Sequence, residues 1–198
     1  MSTDASTTPL DSLDARAALV LIDLQNGILG MPTAPYASDA VLHNAVRLAD
    51  AFRARNLPVV RVRVAWSPDG GDLPVSRTVA PGPRQAPPAE FAEFPAEFGP
   101  LGDDIVITKR HWGAFTGTEL DLQLRRRGVT QIVLGGISTS IGVESTARSA
   151  FEQSYHLVIV EDATTDTDAA SHEHSFGKIF PRIAQLGTTD EILGLLKR

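Results

Sequence analysis

The sequence predicts an α/β protein of three layers, α/β/α, in which a six-stranded, mostly parallel sheet is doubly wound in the Rossmann-like manner. Two patterns carry this reading. Short apolar runs alternate along the chain with stretches of helical spacing, and several of the apolar runs end abruptly on a polar residue or a glycine pair. Length sets the scale, because 198 residues with 42% hydrophobic side chains suit a single domain with a sizeable core.

Residues 1–14 hold Ser, Thr and Asp and little to bury, and are read as a flexible N-terminal arm ahead of a domain spanning 15–198. Residues 17–22 form a continuous apolar run that stops at Asp23, the pattern of a strand buried on both faces. Residues 39–55 place Val41, Ala45, Leu48, Ala49 and Phe52 on one helical face, with Ser38 or Asp39 available as N-cap. A second strand over 58–65 alternates Arg61 and Arg63 with Val60, Val62 and Val64. Between 66 and 100 lie eight of the thirteen prolines, which predicts a long irregular excursion of the kind that serves as a lid, a pocket wall or a subunit contact. Order resumes with a strand at 104–108 that ends at Lys109, a helix at 118–127 stopped by Gly128, and a strand at 131–134 that runs into Gly135 and Gly136. A helix at 141–154, a strand at 157–160, a helix at 169–180, a weak strand at 183–186 and a helix at 189–196 capped by Thr188 or Thr189 complete the pattern.

Composition excludes several functions. The chain contains no cysteine, so disulfides, zinc-thiolate sites and thiol nucleophiles are ruled out together. A formal charge of -6 argues against nucleic acid as a partner, and the basic run Arg125–Arg126–Arg127 reads as the solvated end of a helix. No run approaches the length of a membrane span and the N-terminus is not a signal peptide, so a cytoplasmic protein with no membrane association is expected. No G-x-G-x-x-G follows the first strand, which gives a dinucleotide oxidoreductase little support.

In an open parallel sheet the ligand site lies beyond the carboxyl ends of the strands. Three polar features fall there: Asp23 after the first strand, Lys109 after the third, and the turn from Gly136 to Gly142 after the fourth. Taken singly, Asp23 reads equally well as a helix N-cap and Lys109 as a surface charge; their placement at corresponding strand ends favours one shared site.

The segments LVLIDLQNGIL, TKRHWGAFTGTELDLQLRRRGV and VLGGISTSIGVESTARSAFEQSYHLVIVEDA resemble the three motif blocks of the isochorismatase-like hydrolases, the cysteine hydrolase superfamily, and the similarity covers nearly all of residues 16–198. The resemblance implies a site built from an Asp, a Lys and a Cys. The first two map onto Asp23 and Lys109, while the third, in the pattern G-I-S-T-x-x-C-V-x-x-T-A, is occupied by Gly142. It also implies a non-proline cis peptide in the Gly136–Ile137–Ser138 turn, a homo-oligomer, either dimer or tetramer, and a small-molecule substrate.

Glycine has no side chain to attack with, and Ser138, Thr139, Ser140 and Ser145 point in other directions on a helical turn, so covalent amidase chemistry is not expected. Isochorismatases proper also carry glycine here and cleave a vinyl ether without an enzyme nucleophile. On that resemblance Asp23 is the general acid and Lys109 orients water or a substrate oxygen. Candidate substrate-binding residues are Gln25, Trp112, Phe115, Ile137, Ser138 and Ile141. Gln25 and Asn26 read as shaping the site or as ordinary turn bonding, and Trp112 and Phe115 as a pocket wall or as core. Trp66, Arg77 and Arg84 in the excursion are read as solvated loop positions, with a carboxylate contact as the sharper option. No cofactor and no metal are expected: Trp66–Ser67–Pro68–Asp69 lacks the histidine of the metal-binding nicotinamidases, and His172 and His174, two apart on a helix, are read as surface or interface residues. Glu144 and Arg148 read as a helix ion pair. A catalytically silent member that binds a metabolite or serves as a scaffold is the competing function.

Overall fold

Every residue of strand β1, Ala17–Ile22, is buried, and its side chains divide between two cores. Ala18, Val20 and Ile22 point into one, Ala17, Leu19 and Leu21 into the other, as the two-residue period of a strand requires. In the computed structural model, which describes residues 10–80 and 82–197, five further strands flank it. They are β2 (Val59–Val64), β3 (Ile105–Lys109), β4 (Gln131–Ile137), β5 (His156–Thr165) and β6 (Gln185–Gly187). Their order is β3-β2-β1-β4-β5-β6, and every pairing of neighbours is parallel. The chain therefore winds outward from β1 in one direction and from β4 in the other, and the reversal falls between those two strands.

The helices are α1 (Asn26–Leu29), α2 (Ser38–Ala54), α3 (Leu120–Arg126), α4 (Glu144–Glu152), α5 (Ala169–His174) and α6 (Thr189–Leu196). On one face α2 buries Val41, Ala45, Leu48, Ala49 and Phe52 beside Ile192 and Leu196 of α6. On the other, Leu120 and Leu124 of α3 and Ala147 and Ala150 of α4 pack with Phe176 and Phe180. This is the expected three-layer α/β fold. Thr188 caps α6 in a reciprocal box with Glu191, as the sequence suggests. Neither Ser38 nor Asp39 caps α2: the Ser38 hydroxyl instead donates to the Leu29 carbonyl at 2.8 Å.

Several elements differ from the sequence reading. α1 was not expected, β4 runs through both glycines to Ile137, and β5 is extended to Thr165. The helix read at 141–154 begins as a wide π-type turn, Thr139–Val143, before α4. The one read at 169–180 breaks after α5 into a second such turn, Ser175–Ile179, and a 3₁₀ turn, Phe180–Arg182, that contains Pro181.

The excursion is irregular apart from two 3₁₀ turns, Ala89–Ala92 and Ala96–Phe98, and its C-terminal end is locked by charge. Arg61, only 3% exposed, donates to Asp104 at 2.6 Å and to the carbonyls of Phe98 and Pro100, while Arg53 reaches the same carboxylate at 2.7 Å. The N-terminal arm is held over its last residues. Leu10 and Leu13 pack on the α2/α6 core, and the Asp14 amide donates to Gln131 Oε1 at 2.8 Å; residues 1–9 lie outside the described residues. Among the described residues no helix is long and apolar enough to cross a membrane.

Candidate active site

The site begins at the strand-order reversal, where β1 and β4 end side by side. Asp23 continues β1 by one hydrogen bond, its amide donating to the Val62 carbonyl at 2.9 Å, and then turns the chain with φ of 53°. Asp is among the few side chains that tolerate this left-handed geometry. On the adjacent strand Gly136 adopts φ of 129°, and a Cβ there would lie 2.2 Å from the Ile22 carbonyl oxygen, so only glycine lets β4 pass the end of β1 this closely.

Lys109 ends β3, two strands away, and reaches back across β2. Its Nζ donates to Asp23 Oδ2 at 2.6 Å and to the His111 carbonyl at 3.2 Å, with both charged side chains at least nine-tenths buried. Burial pushes the Asp23 carboxyl up to about 6, and the neighbouring Lys109 charge opposes the shift without cancelling it. The other oxygen, Oδ1, is buried and has no hydrogen-bond partner among the described residues. One oxygen is thus fixed by the ammonium, and the other is left to act on something else.

Beyond β4 the peptide bond between Ile137 and Ser138 is cis, in the turn where the family resemblance implies one. The Ser138 carbonyl accepts from the amides of Ile141 and Val143, and the wide turn brings Gly142 against Asp23. A Cβ on Gly142 would sit 3.3 Å from Asp23 Oδ2, 3.0 Å from Ile22 Cγ2 and 3.5 Å from the Trp112 carbonyl oxygen. Asp23, Lys109 and Gly142, 119 residues apart at the extremes, thus meet at one point. Thr146 ties this turn to the segment after Lys109: its hydroxyl donates to the Gly142 carbonyl at 2.7 Å and accepts from the Ala114 amide at 3.0 Å.

The flanking candidates divide. Gln25 is fully buried and its amide is engaged by backbone, donating to the carbonyls of Val64 and Phe91 and accepting from the Val64 amide. It fastens β2 and the excursion to the end of β1, with both amide hydrogens committed to backbone carbonyls. Asn26 opens α1, its amide donating to the Glu93 carbonyl. Phe115 is half-buried and packs on Tyr155 at the edge of the core, with ring centroids 6.0 Å apart. The Trp112 ring is exposed, while its carbonyl faces Gly142. The Ile137 side chain is buried in the α2-side core, leaving its backbone to line the turn. Ser138 is half-buried and Ile141 exposed on that turn.

Trp66 is half-buried, and Arg77 and Arg84 are exposed. Glu144 and Arg148 form the expected pair at 3.0 Å, and Glu144 also accepts from Ser175 at 2.6 Å. His172 corrects the surface reading: it is 3% exposed, stacked on Phe176 and bonded through Nδ1 to Thr139 Oγ1 at 2.8 Å. Asp166, which the sequence reading passed over, is also buried and accepts from the Ser140 amide and hydroxyl. Neither carries a local sequence signal, because their partners are distant in sequence: Asp166 meets Ser140 and Ala34, and His172 meets Thr139 and Tyr36. Among the described residues no group of three or more His, Cys, Asp or Glu side chains stands close enough to hold a metal ion. A cavity of about 1060 Å³ opens at the opposite, N-terminal end of the strands, near Arg53, Val59, Phe98 and Asp104, and includes none of the site residues.

A buried carboxylate–ammonium pair facing a glycine turn lies at the switch point of a doubly wound parallel sheet, which is where α/β proteins of this architecture bind their ligands. The comparisons give the particular family. The Isochorismatase domain model matches residues 17–191, and the chain belongs to the isochorismatase family. It is 49% identical to the isochorismatase family protein YecD of Escherichia coli O157:H7, over 90% of this chain and 95% of that one. It is 29% identical to the ureidoacrylate amidohydrolase RutB of Variovorax paradoxus, over 84% of this chain and 75% of that one. An isochorismatase family protein from Burkholderia thailandensis has the same fold, with a TM-score of 0.91 and 43% identity over 94% of this chain and 98% of that one.

Proposed function

We propose that this chain hydrolyses a small molecule with Asp23 and Lys109 and without a covalent enzyme intermediate, Gly142 standing where the cysteine hydrolases carry their nucleophile. The substrate we favour is a vinyl ether of the isochorismate kind. The observation that carries the reading is the state of Asp23: its carboxyl is pushed up to about 6, and Oδ1 is buried without a partner among the described residues while Oδ2 is held by Lys109. A carboxyl in that setting can deliver a proton from Oδ1. The proton goes to the terminal alkene carbon, water adds to the resulting oxocarbenium carbon, and the hemiketal collapses to pyruvate and the free alcohol. The proton lost by the water restores Asp23.

Nearby hydroxyls give little support to a covalent route. Thr139 is fully buried, and the hydroxyls of Thr139 and Ser140 are bonded to His172 and Asp166, with no hydrogen bond to Asp23 or Lys109 among the described residues. The enzyme is taken to act in the cytoplasm as a homo-oligomer, dimer or tetramer, without a cofactor. The test is incubation with isochorismate while following pyruvate, then a panel of small amides while following ammonia. Pyruvate release is expected, and Asp23→Ala and Lys109→Ala should each lower it by about 10²-fold or more. Turnover surviving in the double variant removes both residues from the mechanism. The same glycine favours a second reading, a silent member that binds a metabolite, and no product in either panel combined with tight metabolite binding would establish it.

A further inference from the structure

The turn that presents Gly142 has no side chain of its own at the reacting position, so its placement must come from outside. We infer that Asp166, with His172 behind it, is the positioning residue for the Ser138–Val143 turn. β5 continues past its apolar stretch to Thr165, whose register partner on β4 is Ile137, and this delivers Asp166 to the flank of the turn. Asp166 is 2% exposed, and its Oδ2 accepts from the Ser140 amide at 2.7 Å and from the Ser140 hydroxyl at 2.8 Å. Its Oδ1 accepts from the Thr167 amide at 2.7 Å. Its backbone is fixed as well, exchanging hydrogen bonds of 2.7 and 3.1 Å with Ala34 in an isolated antiparallel bridge. Asp166 therefore joins three separated segments, its backbone binding the loop between α1 and α2 and its carboxylate linking the end of β5 to the turn.

One residue earlier in the turn, Thr139 is fully buried and bonded to His172 Nδ1 at 2.8 Å. The His172 ring cannot swing, being stacked on Phe176 at 4.5 Å and edge-on to Tyr36 at 5.8 Å. Two consecutive turn residues are thus tethered to His172 and Asp166, while Thr146 holds the Gly142 carbonyl. Burying a carboxylate is costly unless its hydrogen bonds repay the lost hydration. Here the bonds from its second oxygen go entirely to Ser140, two residues from Gly142.

The inference rests on the proposed function only for the reaction the turn serves, so its test is read on the backbone. Amide hydrogen exchange is followed by mass spectrometry in the wild-type protein, Asp166→Ala and Asp166→Asn. In Asp166→Ala, peptides covering residues 138–143 should exchange about tenfold faster or more, with those covering β1 and α2 unchanged. Asp166→Asn, whose amide oxygen still accepts from Ser140, should restore most of the protection. Unchanged exchange over 138–143, an equal rise across all segments, or no rescue by Asn would overturn the inference. Should Asp166→Ala fail to fold, Thr139→Val cuts the His172 tether without uncovering a charge. It carries the same local expectation, and a flat profile there is equally decisive against it.

Discussion

Asp23 carries two oxygens in unlike surroundings, and that asymmetry decides how the site should respond to pH. Lys109 fixes Oδ2, and burial raises the carboxyl to about 6, so the protonated acid is the minor form at neutral pH and the major one below about 6. If Asp23 delivers the proton, the rate should rise as pH falls toward 6 and drop about tenfold per unit well above it. A pH–rate profile checks this, and a profile flat between pH 5 and 8 would speak against Asp23 as the acid. At Gly142 the prediction is constructive. Gly142→Cys would place a Cβ 3.3 Å from Asp23 Oδ2, with Ile22 Cγ2, 3.0 Å away, having to yield by a few tenths of an ångström. We expect a loss of about 1 kcal/mol in urea denaturation and a single labelling site for iodoacetamide, since the chain has no other cysteine. Ammonia release from small amides appearing only in this variant would support the placement of Gly142 at the family's nucleophile position.

At the scale of elements, what the sequence revealed was local and what it concealed was long-range. β1 and α6 were legible because an unbroken apolar run and a Thr188/Glu191 capping pair are written in consecutive residues. The convergence of Asp23 and Lys109 was legible from their positions at strand ends. Gln25 was not, because its partners Val64 and Phe91 lie 39 and 66 residues away. The same holds for His172 and Asp166, whose partners Thr139, Tyr36, Ser140 and Ala34 lie far along the chain. Arg61 reads on sequence as an ordinary alternating charge, yet it is nearly inaccessible and shares Asp104 with Arg53. Asp104→Ala would leave a buried guanidinium without its counter-charge. Breaking such a group typically removes about 3–5 kcal/mol, measurable as a lower urea midpoint. An Asp104→Ala protein as stable as wild type would mean that the end of the excursion is held by its backbone contacts alone.

For the molecule as a whole, the raised Asp23 carboxyl is a stability cost carried at neutral pH. Its folded value, about 6, lies above the reference value of 3.8, so between those limits the native state binds more protons than the unfolded chain. The contribution is fully present below pH 3.8 and is lost as pH rises through 6, amounting to about 3 kcal/mol. Asp23→Asn imitates the protonated form at every pH. Its stability relative to wild type should rise steadily from pH 4 to pH 8, while turnover falls. Denaturant titrations of both proteins across that range provide the check, and parallel curves would contradict it. The sheet that positions these groups is insulated from them, since both cores lie along its length and the reacting atoms lie beyond its rim. At position 142 a newly added carbon would press on the Ile22 methyl at 3.0 Å and on Asp23 Oδ2 at 3.3 Å, each having to yield by a few tenths of an ångström, while the Trp112 carbonyl at 3.5 Å leaves ordinary room. One replacement there would set a thiol beside a carboxylate already gripped by an ammonium, on strands and helices that need not change to carry it.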